Sequence, residues 1–195
     1  IIEDDYDSEF RYKGKYIAPI CTEDVNNKVI YMNTFSKTMV PSLRISYMVL
    51  PVDILERYKE TMSFYSCTVS SFEQYALARF ISGGYFERHI NRIKNYYKKL
   101  RVQIINAIRE SSIGEISEIV EHHSGTHFLL KVKTDLSEEE INEKCLENDL
   151  HILTYADYIK DDTDSDKSMT LVINYAGINP ERIDDVIKRI ERVFE

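Results

Sequence analysis

Two short apolar runs, Lys28 to Thr34 (KVIYMNT) and Ile45 to Leu50 (ISYMVL), constrain the fold of this chain more than any other feature. Each is almost unbroken in hydrophobicity, which is the pattern of strands in a parallel sheet covered on both faces. Helical patterns follow them. Pro51 opens one helix over about residues 52–63, and a second begins at Ser70 or Ser71 and stops at Gly83-Gly84. A parallel sheet covered on both faces is the arrangement of α/β proteins.

From Tyr85 to about Ser112 runs the longest helical pattern. Phe86, Ile90, Ile93, Tyr97, Leu100, Ile104 and Ile108 recur every three or four residues and form one apolar stripe. The opposite face, with Arg88, Arg92, Lys94, Lys98, Lys99 and Arg101, reads as a solvated surface. Beyond Gly114 the period changes to that of strands, at 116–121 and 126–133, around a His122-His123-Ser124-Gly125 turn. Ser137-Glu138-Glu139-Glu140 has the form of a capping box, with Leu136 and Ile141 placed as a hydrophobic staple, so a helix is expected from there to about Glu147. A short strand near 151–154, an acidic loop, a strand at 169–175 and a last helix capped by Asn179-Pro180 complete the reading. There is no internal repeat. Two parts are expected, 1–84 and 85–195.

Composition narrows the function classes. The 195 residues suffice for a buried core, and a net charge of −8 argues against a nucleic-acid surface, which needs clustered lysine and arginine. Cys21, Cys67 and Cys145 are odd in number and widely spaced, as reduced thiols of the cytoplasm are. No run reaches the ~18 apolar residues of a membrane span. Ile1-Ile2 reads as a strand already under way, so the chain has the look of the back part of something larger.

Two groups of residues suggest chemistry. On a strand, Asp4 and Tyr6 share one face while Asp5 points away. A carboxylate beside a phenol can hold a pyridinium nitrogen protonated and donate to a phenolate oxygen. Lys37 stands between hydroxyls, in Thr34-Phe35-Ser36-Lys37-Thr38, and a lysine placed near other cations or desolvated is neutral often enough to react. Thr34 and Ser36 offer hydroxyls to a phosphate, and Arg44 can pair with it through two donors. Such strand-to-loop junctions are where α/β sheets bind ligands.

Taken together, residues 3–12 (EDDYDSEFRY), 34–38 (TFSKT) and 41–44 (PSLR) resemble the aminotransferase-like domain of MocR-type transcriptional regulators, a branch of the GntR group. Gly125-Thr126-His127 before a strand, and Asn174-Tyr175-Ala176-Gly177 before a Pro-Glu helix start, also fit that domain. Simple aminotransferases of the same fold usually place the aspartate and tyrosine three apart rather than two. The resemblance implies a type I pyridoxal-phosphate-dependent fold: the second part of the large domain over 1–84, then an interdomain helix and an α+β small domain over 85–195. It implies Lys37 as the Schiff-base lysine, Asp4 at the pyridine nitrogen, Tyr6 at the phenolic oxygen, and Thr34, Ser36 and Arg44 at the phosphate of pyridoxal 5'-phosphate. It further implies a homodimer that senses a small effector, an amino acid or vitamer, and meets DNA only through an N-terminal winged helix outside this chain.

Two departures from the family pattern bear on activity. The first half of the large lobe, which supplies a ring-stacking aromatic residue and further phosphate contacts, is not in this chain. In the strand before the last helix, Val172 stands roughly where aminotransferases carry an arginine for the substrate carboxylate. Both favour a sensor over the alternative, an aminotransferase fragment, and a cofactor-free dimerisation domain is a third reading. The run 162–166 lacks the glycine and closing glutamate of a calcium loop. His122, His123 and His127 lack a fourth ligand, and Cys67 has no evident base. No metal is expected.

Overall fold

Ile2–Asp4 (β1) lies parallel to Ile30–Thr34 (β2), with Ile2 opposite Ile30 and Asp4 opposite Met32. Ser46–Val49 (β3) joins the other edge of β2 with Thr34 opposite Ser46. That pairing is antiparallel, which corrects the expectation of an all-parallel sheet. The loop 35–45 is too short for the crossover a parallel neighbour needs, so the chain turns straight back. The second part of the same expectation also changes: Tyr47, Met48 and Val49 are 43%, 45% and 55% exposed, so β3 is not covered on both faces. These coordinates come from a computed structural model that describes residues 1–5, 7–12, 17–120, 125–154 and 168–195.

The chain divides into two compact units, Ile1–Lys94 and Asn95–Glu195. In the first, Val52–Met62 (α1) and Ser71–Ser82 (α2) follow β3, and the start of Tyr85–Glu110 (α3) closes the unit. Gly83 receives the end of α2, and Gly84 turns the chain at φ +68°, a conformation an L side chain rarely adopts. Neither α1 nor α2 has a buried residue. Among the described residues, the buried apolar ones of this unit are Phe10, Val29 and Ile45.

The second unit is built on an antiparallel sheet in the order β4-β5-β7-β6. Its strands are Ser117–Val120 (β4), His127–Lys133 (β5), Leu153–Thr154 (β6) and Ser168–Asn174 (β7). Alternation decides its faces. Phe128, Leu130 and Val132 of β5, with Leu171 and Ile173 of β7, point to one side and are at most 5% exposed. Ser112–Ile116 (α4), Glu138–Glu147 (α5) and Ile183–Phe194 (α6) supply further buried residues, among them Ile113, Ile141, Ile187, Ile190 and Val193. So does the second half of α3, with Leu100, Ile104 and Ile108. Each such side chain contributes about 1.5–3 kcal/mol by leaving water.

Ser137 forms the expected capping box: its hydroxyl accepts from the Glu140 amide, and Glu140 accepts from the Ser137 amide. The last helix starts differently from expectation. Asn179 accepts from the Glu181 amide and Pro180 opens a 3-10 turn over Pro180–Arg182, so these residues cap the turn, and α6 begins one step later at Ile183. Proline's fixed φ suits either kind of first turn, so the sequence signal could not separate them.

Candidate functional site

β1 and β2 run side by side and end together, and the loop after β2 returns to β3 at that same end. This topology brings Asp4, Thr34, Ser36, Lys37 and Arg44 to one edge of the sheet. Parallel register also places the side chains. Asp4 pairs with Met32, so Asp4, Met32 and Thr34 share one face, while Glu3, Tyr31, Asn33 and Tyr47 belong to the other. Tyr6, the expected partner of the phenolic oxygen, lies outside the described residues.

The loop that carries Lys37 is held at several points. The Phe35 amide donates to the Ile45 carbonyl at 2.9 Å, and the Thr34 hydroxyl donates to the same carbonyl at 3.1 Å. The Ser36 amide donates to the Thr34 hydroxyl at 3.2 Å, and the Met39 amide to the Phe35 carbonyl at 2.9 Å. Phe35 anchors the loop by its ring, 5.5 Å from Tyr47 and 5.7 Å from Phe86 between centroids. Thr38 is 1% exposed and its hydroxyl donates to the Phe35 carbonyl. Lys37 itself is exposed. The Thr34 hydroxyl, expected at a phosphate, is thus also a brace for the loop.

Two observations fit an anionic group at this edge. Among the described residues the buried Ser36 hydroxyl has no hydrogen-bond partner, a state that costs about 1–3 kcal/mol unless something accepts from it. Arg44 adopts the left-handed conformation, φ +46° and ψ +35°, which is uncommon for a residue with a side chain. Backbone strain of this kind gathers at ligand clamps. Nothing in the sequence pattern announced either one.

On the opposite face the structure assembles a group that was not foreseen. Tyr31 donates to Asp5 Oδ2 at 2.9 Å, Ser8 donates to the same oxygen at 3.0 Å, and Asn33 Nδ2 donates to the Tyr31 oxygen at 2.9 Å. Burial, with the Asp5 carboxylate close by, pushes the Tyr31 phenol well above its ordinary value, although its bond with Asn33 acts the other way. Burial likewise raises Glu9. The signal was available in the parity of the strand: Tyr31 and Asn33 alternate with Met32 and Thr34, and Asp5 with Asp4.

The second unit holds the position of interest on β7. Val172 stands opposite Leu129 of β5 and Leu153 of β6, and Leu129 stands opposite Val120 of β4. These four make an apolar row across the sheet, with no cation in it. His122, His123 and the acidic run 162–166 lie outside the described residues, and among the described residues no group of three His, Cys, Asp or Glu could hold a metal ion. Among them, no helix is long and apolar enough to cross a membrane.

Residues 7–190 match the family model for aminotransferase class I and II. The chain belongs to that family. It is 37% identical to the HTH-type transcriptional regulator YdeL of Bacillus subtilis over 199 residues, covering all of this chain and 41% of the relative. It is 29% identical to the probable rhizopine catabolism regulatory protein MocR of Rhizobium meliloti, over all of this chain and 38% of that one. Among solved structures it resembles kynurenine aminotransferase of Pyrococcus horikoshii, determined with PMP, with a TM-score of 0.79 and 27% identity, covering 98% of this chain and 47% of that one. The chain therefore spans about 40% of the curated relatives it matches. Its fold is that of the type I pyridoxal-phosphate aminotransferases, an α/β fold, as the resemblance implied.

Proposed function

We propose that this family member is the effector-sensing and dimerisation part of a MocR-like transcriptional regulator, with pyridoxal phosphate held at Lys37. The observation that carries the regulator reading is identity over the whole chain. YdeL matches all of it at 37% identity, whereas the aminotransferase SSO0104 of Saccharolobus solfataricus matches 97% of it at 26%. The apolar row at Val172 supports the same reading, since it offers no cation to an amino-acid carboxylate.

The residues present fit the cofactor. Ser36 would donate its unpartnered hydroxyl to the phosphate, Arg44 would pair with it through its guanidinium, and Thr34 would keep the loop closed through Ile45. Asp4, exposed at the end of β1, would face the pyridine nitrogen and hold a proton there, and Tyr6 would donate to the phenolic oxygen. Lys37 would be the covalent anchor. When bound, the cofactor would supply an aldehyde carbon for which the Lys37 amine and the amine of an effector would compete. Release of Lys37 would then favour one of two arrangements of the regulator, a shift of populations between states.

Exposed apolar side chains support the dimerisation part. Phe64, Phe72 and Tyr75 of the α1–α2 region are 73%, 81% and 75% exposed, more than a solitary surface normally leaves open in one stretch. DNA would be met through a winged helix outside this chain. The test uses the regulator at full length. Added pyridoxal phosphate is expected to give a visible absorption band that is absent in Lys37→Ala, and amino-compound effectors are expected to change DNA affinity without sustained transamination. Absence of the band in the native protein would remove the cofactor reading, and steady turnover of amino donors would favour an enzyme instead.

A further inference from the structure

A cavity of about 320 Å³ opens on the face of the β1–β2–β3 sheet opposite Asp4 and Thr34, lined by Asp5, Glu9, Tyr31, Asn33, Tyr47 and Lys94 among others. Its volume lies at the lower end of the ~300–1,000 Å³ range of small-molecule sites. Its wall is built rather than incidental. Asn33, 6% exposed, orients the Tyr31 phenol, which with Ser8 orients the Asp5 carboxylate. Beside this relay, the Glu9 carboxylate is also touched by Asn33, but its Oε2 is buried without a hydrogen-bond partner among the described residues. Tyr31 and Tyr47 add ring surface, with centroids 6.2 Å apart.

The charges in the wall are of both signs. Asp5 and Glu9 are acidic, and Lys94 and Arg11 are basic. A buried carboxylate oxygen with no donor calls for a donor, and a cationic one satisfies it best. Burial, with Asp5 and Asp7 adding repulsion, already raises the Glu9 carboxyl above its ordinary value, and an ammonium group would relieve that tension.

We propose that this cavity is a second, non-covalent binding site for a small zwitterion, with its ammonium group at Asp5 and Glu9 and its carboxylate toward Lys94. Aromatic rings beside paired carboxylates suit the ammonium end, since ring faces also attract cations. The site needs no cofactor, so it stands apart from the role of Lys37. An effector of this class could act on the regulator from either face of the sheet.

The probe is β-alanine, with propylamine and propionate as single-charge controls, titrated into the full-length protein while amide resonances of β1 and β2 are followed by NMR. Saturable shifts with β-alanine are expected, with both controls binding about tenfold or more weakly. Glu9→Gln and Lys94→Met are each expected to weaken β-alanine about tenfold, the latter leaving propylamine unchanged, while Lys37→Ala leaves all binding as in the native protein. Circular dichroism checks that Glu9→Gln folds; among the described residues Lys94 makes no ion pair, so its variant carries the test if Glu9→Gln does not. The proposal is overturned by no saturable shift, by propylamine binding as well as β-alanine, by native binding in a folded variant, or by shifts that vanish in Lys37→Ala. In that last case the response belongs to the lysine edge and the cofactor reading survives.

Discussion

The two units of this chain treat apolar residues in opposite ways. Asn95–Glu195 folds its strands and helices over a closed core in which Phe128, Leu130, Val132 and Leu171 are at most 2% exposed and the Tyr175 phenol donates to the Gly125 carbonyl. Among its described apolar residues Ile1–Lys94 buries only Phe10, Val29 and Ile45, and it leaves α1, α2 and β3 largely uncovered. The residues proposed to bind the cofactor are all in the open unit. The difference teaches that stability and chemistry are separated along the chain: one unit closes a core, and the other offers surface and polar groups to something else.

Core truncation gives the widest separation between the units. Leu130→Ala is expected to cost about 2–5 kcal/mol, since it removes a fully buried side chain from the middle of the second sheet. Denaturant unfolding followed by far-ultraviolet circular dichroism measures it, and a loss under about 1 kcal/mol would show that the second core is not what holds that unit.

Acid should act with opposite sign on Glu9 of the first unit and on three carboxylates of the second. Asp24 of the first unit, held by the Val29, Lys28 and Asn26 amides, is lowered as those three are. In the second, Glu191 accepts from the Ser112 amide at 2.9 Å and its hydroxyl at 2.8 Å, and these bonds hold its carboxyl below the ordinary value of 4.5. The Ser137 amide does the same for Glu140, and Arg182 and Arg189 for Asp185. Their contribution is full above about pH 4.5 and is lost as the pH falls through the depressed folded values. Glu9 in the first unit is raised, chiefly by burial, so the folded form holds its proton more tightly than the unfolded one. Its ionisation above the ordinary value opposes folding, and that opposition fades as the pH falls toward 4.5. Thermal melts of Glu191→Gln should therefore lose part of their acid-side slope, and those of Glu9→Gln should lose the opposite slope. Equal slopes in both variants would erase the contrast.

The smallest effect on folding belongs to the open surface. Phe72→Ser on α2, at a residue 81% exposed, is expected to change the stability of the isolated chain by no more than about 0.5 kcal/mol. If that surface serves association, sedimentation of the full-length protein should nonetheless show a weakened dimer. A large loss of monomer stability would mean that α2 is covered after all.

Much of the fold was legible because it is local. The 3.6-residue period revealed α3, the Ser137 capping box revealed the start of α5, and alternation revealed β5 and β7. What was not legible depends on pairing across distance. The antiparallel return of β3, its exposure, and the way Asn179 and Pro180 cap a turn rather than the helix follow from loop length and neighbours, which no single run encodes. The site divides in the same way. Lys37, Arg44 and the hydroxyls beside them could be read as chemistry from residue type and order, whereas the unpartnered Ser36 hydroxyl, the left-handed Arg44 and the Asp5–Tyr31–Asn33 relay arise only when separate strands lie in register.

The sequence by itself determined the elements, the family and the candidate lysine, because periodicity, capping and motif order are properties of neighbours along the chain. Only the tertiary structure decided which face of the sheet each polar group occupies and which unit is closed. The reason is the two-residue period of a strand: register, set by contacts between distant segments, sends Asp4 and Thr34 to one side and Asp5, Tyr31 and Asn33 to the other.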